Sequence, residues 1–166
     1  MTPTTITRVH ARRVWDSRGR PTVEAEVRLA CGVLGRGIAP AGASRGSREA
    51  VDLRDGGTRH GGYDVAQAVA NVRGPIARAI FSMDALDQAD IDAKLIELDG
   101  TPNKATLGGN ATVAVSLAVA QAAALAHDMP LWQYVAGDDP VSLPLPAHVR
   151  STLLPARSPY STGQGR

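Results

Sequence analysis

Residues able to carry chemistry are few and scattered. Of 166 residues 18 are basic, and all but Lys94 and Lys104 of these are arginine. Lysine, not arginine, is the cation whose pKa can fall to that of a general base. Lys94 lies one helical turn from Leu98 and is expected to face water, and Lys104 follows a turn. His10, His60, His127 and His148 show neither HxH nor HExxH spacing and predict no metal site. Cys31 is alone, which excludes an internal disulfide or a cysteine-based zinc centre and points to a reducing compartment. Ser17, Ser44 and Ser47 lack a G-x-S-x-G context. Acids gather at Asp52/Asp55 and at Asp84/Asp87/Asp90/Asp92. The second group sits at a helix start, where carboxylates complement the macrodipole. Neither group converges from separate elements as a catalytic pair would. One loop stands apart: Gly42, Ala43, Ser44, Arg45 and Gly46, flanked by Arg36 and Arg48. Exposed N–H groups, a hydroxyl and positive charge would suit an anion- or metal-facing lid. By composition alone an ordinary solvated connection fits better. It is no Walker A loop, since the Gly-Lys-Ser/Thr ending is missing.

The elements that must position this loop follow from periodicity. Residues 22–29 alternate, with Val23, Ala25, Val27 and Leu29 on one face and Glu24, Glu26 and Arg28 on the other, which predicts a half-buried strand with one wet face. Residues 6–14 are its expected partner across the turn formers at 16–21, and 33–39 form a third strand of an antiparallel meander. Gly35 and Gly37 in that strand predict a bulge or a close backbone approach. The period then turns helical. Val65, Ala68, Val69 and Val72 make one stripe, kinked at Gly74-Pro75 and continued by Ile76, Ala79 and Ile80. Residues 87–98 make a second helix, with Asp84 or Asp87 as its cap. Residues 111–127 make a third, capped by Asn110 and apolar nearly all round, and so central and buried. A short helix follows at 131–136. The predicted fold is α+β, a three-stranded meander followed by a helical subdomain over residues 1–137. Residues 138–166, rich in Pro, Arg and Ser, form an extended or disordered tail.

Size and charge narrow the functions. The chain is too short for a TIM barrel, which needs roughly 250 residues. Net charge is +2, but residues 141–166 hold three arginines and no acid, so the basic balance belongs to the tail and not to a nucleic-acid face. No N-terminal apolar region resembles a signal, and residues 111–126 read as too short and too polar to cross a bilayer. A cytoplasmic chain with no membrane partner is expected.

Several segments, taken together, resemble the enolase (phosphopyruvate hydratase) family. Residues 16–24 are close to its D-S-R-G-N-P-T-V-E. Residues 40–46 are close to P-S-G-A-S-T-G and are followed by Glu49-Ala50 and Leu53-Arg54-Asp55-Gly56. Ile96-Glu97-Leu98-Asp99-Gly100-Thr101, Asn103-Lys104, Gly108-Gly109-Asn110-Ala111 and Val115-Ser116-Leu117-Ala118 complete the set. The likeness runs over roughly residues 5–146 and ends where the family enters its barrel.

The resemblance implies the N-terminal capping domain of a magnesium-dependent enzyme that dehydrates 2-phosphoglycerate to phosphoenolpyruvate. In the family the barrel carries the catalytic lysines, the acid/base glutamates and the metal carboxylates. Here the catalytic set is therefore expected to be absent and the chain inactive alone, as a truncated or frame-shifted enolase. Ser44 matches the lid serine that ligates the second magnesium. Arg12 and Glu24 match positions at the dimer interface, touching a neighbouring subunit's barrel. Arg20, Ala41 and Arg45 depart from the family's Asn, Ser and Thr. The alternative is a non-catalytic binding module that docks on an enolase barrel or another partner. Removal of the barrel also leads to an expectation of self-association through the 111–126 helix.

Overall fold

The computed structural model describes residues 2–42, 46, 48–138 and 140–142. Three strands, β1 (Ile6–Trp15), β2 (Pro21–Leu29) and β3 (Leu34–Ile38), pair antiparallel in the order β1-β2-β3. The β1–β2 register slips between Ile6 and Arg8, so one extra residue, Thr7, lets both Ile6 and Val9 turn toward the core. Periodicity alone gave no sign of this bulge.

The polar face of β2 is drier than its alternation predicts. Thr22 and Glu24 are buried, at 1% and 7% exposure. Thr22 donates its hydroxyl to the Ala39 carbonyl at 2.7 Å, and Arg12, opposite Glu24, lies across Glu24 and Glu26.

After the sheet the chain turns helical: α1 (Ala66–Asn71), α2 (Ala77–Ile80), α3 (Gln88–Asp99), α4 (Gly109–Ala126) and α5 (Leu131–Ala136). Pro75 does not break the first run. A π turn over Val72–Ile76 joins α1 to α2 and absorbs the amide hydrogen that proline lacks. Ala68, Val72, Ile76 and Ile80 therefore stay buried along one face.

α4 crosses the inner face of β2 and β3. Ala111, Ala114, Val115, Ala118, Val119 and Ala122 are fully buried there. The helix is central and buried on its inner side, but not all round: Val113, Leu117 and Leu125 stand 42–48% exposed along the opposite side. α4 begins two residues before the expected 111 and ends one before the expected 127. At 18 residues it is the one helix among the described residues long and apolar enough to cross a membrane, but 61% of it is buried inside the domain, as befits a core helix. Nor does Asn110 cap it. The first turn closes on the Gly108 carbonyl, and the Asn110 amide is engaged elsewhere.

The caps expected for α3 also differ. Asp87 occupies the N-cap position without a side-chain bond, while Asp84 ties down the turn before it through the Leu86 N–H and the Thr2 hydroxyl. Gly100, in the left-handed conformation, ends α3. Beyond Asp138 only residues 140–142 are described, so the expected tail lies outside the described residues.

Gly35 and Gly37 bear out a close approach rather than a bulge. A Cβ on Gly35 would stand 2.7 Å from Ala122 Cβ and press on the Ala118 carbonyl, and one on Gly37 would lie 2.6 Å from the Ala118 nitrogen. Gly35→Ala should cost about 3 kcal/mol, the upper end of overpacking, read as a lower urea midpoint at unchanged slope. An unchanged midpoint would refute this contact.

Asp64 is 1% exposed and takes both oxygens to Arg13 Nη1, at 2.6 and 2.8 Å, with Arg59 Nε at 2.9 Å. Hydrogen bonding from Arg13 holds its carboxyl below the usual range, against the upward push of burial. A depressed folded-state pKa gives stability that is complete above the unfolded value and lost as pH falls through the folded one. Chemical unfolding at stepped pH should show stability falling below about pH 4, with a flatter profile in Asp64→Asn.

Candidate functional site

The loop singled out at 42–46 lies in the sequence between β3 and residues 49–55. Gly42 and Gly46 are described; Ala43, Ser44 and Arg45 lie outside the described residues. What the structure resolves is how the two feet of the loop are held.

The first foot is fixed by the β1–β2 turn. Asp16 Oδ1 accepts the N–H groups of Arg18 and Arg20 at 2.9 and 2.8 Å. The Arg20 N–H, opposed by burial, holds this carboxyl below its ordinary value. Asp16 Oδ2 meets Arg18 Nη2 at 3.2 Å, and the same guanidinium donates to the Ala41 carbonyl. Arg18 thus ties the hairpin turn to the start of the loop. Arg20, one of the departures from the family pattern, lies over the Tyr63 ring at 4.8 Å and does not enter the loop.

The second foot is fixed by the start of α4. Val51 donates to the Asn103 carbonyl and accepts from the Gly109 N–H, both at 2.7 Å. Asn110 brackets Leu53: its Nδ2 donates to the Leu53 carbonyl at 3.0 Å and its Oδ1 accepts the Leu53 N–H at 3.3 Å. A side-chain amide here replaces a neighbouring strand. Gly108, with φ at +94°, leaves no room for a Cβ, which would stand 2.7 Å from Leu53 Cβ. Arg54 donates to the Pro21 and Tyr63 carbonyls and pairs with Asp52 at 2.7 Å. The Asp55 carboxylate caps α1 through the N–H groups of Ala66 and Gln67, at 2.7 and 3.0 Å. Asp52 and Asp55 therefore do structural work, as do Asp84 before α3 and Asp92, which accepts from Gln88 Nε2 at 3.1 Å.

Upstream of α4, Asp99 accepts the Leu107 N–H at 2.7 Å and the Thr101 N–H at 3.1 Å, closing the 100–107 loop that carries Asn103. Asn71 donates to the Leu107 carbonyl at 2.9 Å from the other side.

Between the feet lies an open groove of about 540 Å³. Ile38, Pro40, Val51, Val113 and Leu117 make its walls, with Glu49 at the rim. Its lining is mainly apolar, and among the described residues it holds the acids Glu49 and Asp52 with no lysine, histidine, serine or cysteine beside them. Lys94 pairs with Glu97 at 2.9 Å on the surface of α3, as expected. His60 meets the edge of Trp15, and His127 stacks on Tyr134; His148 lies outside the described residues. Among the described residues no three of His, Cys, Asp and Glu come together to hold a metal.

Arg12 and Glu24, expected at an interface, face each other across β1 and β2 and form an ion pair, with Arg12 also 3.0 Å from Glu26. The sequence reading missed Arg18, Arg54 and Asn110 as anchors of the loop. All three fall inside the recognised segments, which was the one signal that could have marked them.

Comparison with known proteins agrees with this arrangement. Residues 6–135 match the family described as "Enolase, N-terminal domain". The chain is 54% identical over 142 residues to Enolase 1 of Lactococcus lactis subsp. cremoris (strain SK11), covering 86% of this chain and 34% of that protein. It is 52% identical over 142 residues to Enolase 2 of Lactococcus lactis subsp. lactis (strain IL1403), covering 86% of this chain and 33% of that protein. The chain thus spans about a third of the length of these curated relatives. Three antiparallel strands, the helices behind them and a loop pinned between hairpin and helix agree with that match, and the chain belongs to the enolase N-terminal domain family.

Proposed function

We propose that this domain serves as the capping domain of an enolase-type dehydratase acting on 2-phosphoglycerate, and contributes a lid rather than the catalytic groups. The supporting observation is the loop at 42–46, whose feet are locked by Arg18, Asn110 and Arg54 while the groove beside it is open and apolar. Hydrogen-bonded anchors on both sides of residues 43–45 suit a domain that presents that segment to a site built by another structural unit. A cytoplasmic setting belongs to this reading.

Magnesium, implied by the family, does not fit the described residues as a resident ion. A hard divalent cation takes six or more oxygen ligands, usually with carboxylates among them. The described residues offer no such cluster, and Ser44 would supply one hydroxyl at most. The metal would therefore be held by groups outside this domain.

Val113, Leu117 and Leu125 recur at helical spacing along the outer side of α4, and Ile38 joins the first two in the groove. Large apolar side chains exposed along one side of a helix, here with Gln121 between Leu117 and Leu125, suit a covered surface. We assign it to a barrel or, without one, to a second copy. Arg12 and Glu24 would lie at the neighbouring-subunit contact.

Two measurements test this reading. The purified chain, given 2-phosphoglycerate and magnesium, should show no turnover in the ultraviolet assay for the enol product. Addition of the separately expressed remainder of a curated relative should restore it, and metal-dependent turnover by the chain alone would overturn the proposal. Sedimentation of the chain alone should show self-association, reduced in Leu117→Glu. A monodisperse monomer at tens of micromolar, with no binding of an apolar dye, would instead mean that the strip stands alone in water.

A further inference from the structure

The loop between Asp55 and Asp64 is closed firmly at its base and loosely built above it. The Asp55 N–H donates to the Asp64 carbonyl at 2.9 Å, and the buried Asp64 carboxylate ties the same end to Arg13 of β1. Between these points Gly56, Gly57, His60, Gly61 and Gly62 take the left-handed backbone, with φ from +49° to +83°. The Gly61 N–H meets the Thr58 carbonyl and the Tyr63 N–H meets the His60 carbonyl, both at 3.2 Å. No side chain from Arg59 to Gly62 is buried. A segment with so little burial opens easily unless something outside it holds it down.

What holds it is a pair of ring contacts at the β1–β2 hairpin. His60 meets the Trp15 ring at a right angle, with centroids 5.0 Å apart, and Tyr63 lies under the Arg20 guanidinium at 4.8 Å. Arg54 adds a third tie by donating to both the Tyr63 and the Pro21 carbonyls. Trp15 and Arg20 stand at the two ends of the hairpin turn. The same turn carries Arg18, whose guanidinium donates to the Ala41 carbonyl.

We propose that residues 56–63 act as a strap: their ring contacts with Trp15 and Arg20 hold the hairpin turn still and, through Arg18, limit the motion of the loop foot at Ala41 and Gly42. An exposed cation–π contact shifts an opening equilibrium only about two- to fivefold. The strap is thus held weakly enough to detach and re-seat, and its glycines let it do so while the Asp55–Asp64 base stays closed. That this motion matters to a reaction rests on the capping reading; the coupling between the two loops does not.

The test is nitrogen-15 relaxation of the full chain, read at the amides of Gly57, Gly61 and Gly62 in the strap and of Ala41 and Gly42 at the foot. In the doubly substituted His60→Asn, Tyr63→Ala chain, order parameters at both places should fall from about 0.85 toward about 0.6. Arg20→Gln removes one of these contacts from the hairpin side and should lower both groups by a smaller amount. Tyr63→Phe, which keeps the ring, should match the parent chain. Arg18→Gln should loosen Ala41 and Gly42 alone. Parent-like order at Ala41 and Gly42 in the double variant, an equal fall along α3, or a fall in Tyr63→Phe as large as in Tyr63→Ala would each overturn the proposal. The measurement uses neither substrate nor barrel, so a failed reconstitution of turnover would leave this coupling standing, and an uncoupled foot would leave the capping reading standing.

Discussion

The structure rests on how closely α4 can lie against β3. Two glycines on the strand and three alanines on the helix, Ala114, Ala118 and Ala122, remove every side chain that would hold the backbones apart. Close packing of this kind gains dispersion contacts along the whole interface, and its tolerance is small, because backbone cannot move aside as a flexible side chain can. The position of α4 then fixes its N-terminus. That end carries Gly109 and Asn110, and these fix residues 51–53. A constraint in the core is thereby passed to the foot of a surface loop through two hydrogen-bonded elements.

Short polar side chains carry the constraint onward where regular structure stops. Asp16, Asp55, Asp99 and Asn110 each satisfy backbone groups that no strand or helix would reach. Leaving such groups unmet in a poorly hydrated place costs about 1–3 kcal/mol each. These residues consequently hold irregular segments as firmly as a ladder would. Several carboxylates, Asp16, Asp55, Asp64 and Asp99, are thereby engaged with N–H groups or arginines rather than gathered at one point.

How much of this could be read in advance depended on the range of the interaction. Strands and helices rest on local alternation and local period, so β1 to β3 and α3 to α5 were legible within a residue or two. Close approach at Gly35 and Gly37 was foreseen as one of two alternatives, since a strand glycine has few other uses. Neither the Thr7 bulge nor the π turn at Pro75 leaves a periodic trace, because each is set by what packs against the segment. Asn110 was misread for a related reason: its local sequence fits a helix cap, but its partner, Leu53, is 57 residues away. The loop at 42–46 stood out by composition, but composition alone favoured an ordinary connection. Only the resemblance of several ordered segments gave it a role.

The same economy that makes the interior explains the surface. Small residues on the inner side of α4 bring the helix down onto the sheet, but they bury little apolar area apiece. Val115 and Val119 reach the core, but Val113 and the two leucines of that helix, Leu117 and Leu125, are left on the far side, where no described residue covers them fully. A free-standing domain would gain by making those positions polar, since exposed branched side chains contribute nothing to its core and raise its tendency to associate. The alanine–glycine seam and the exposed apolar side chains are two sides of one helix, and the close approach on the first side leaves the second in water.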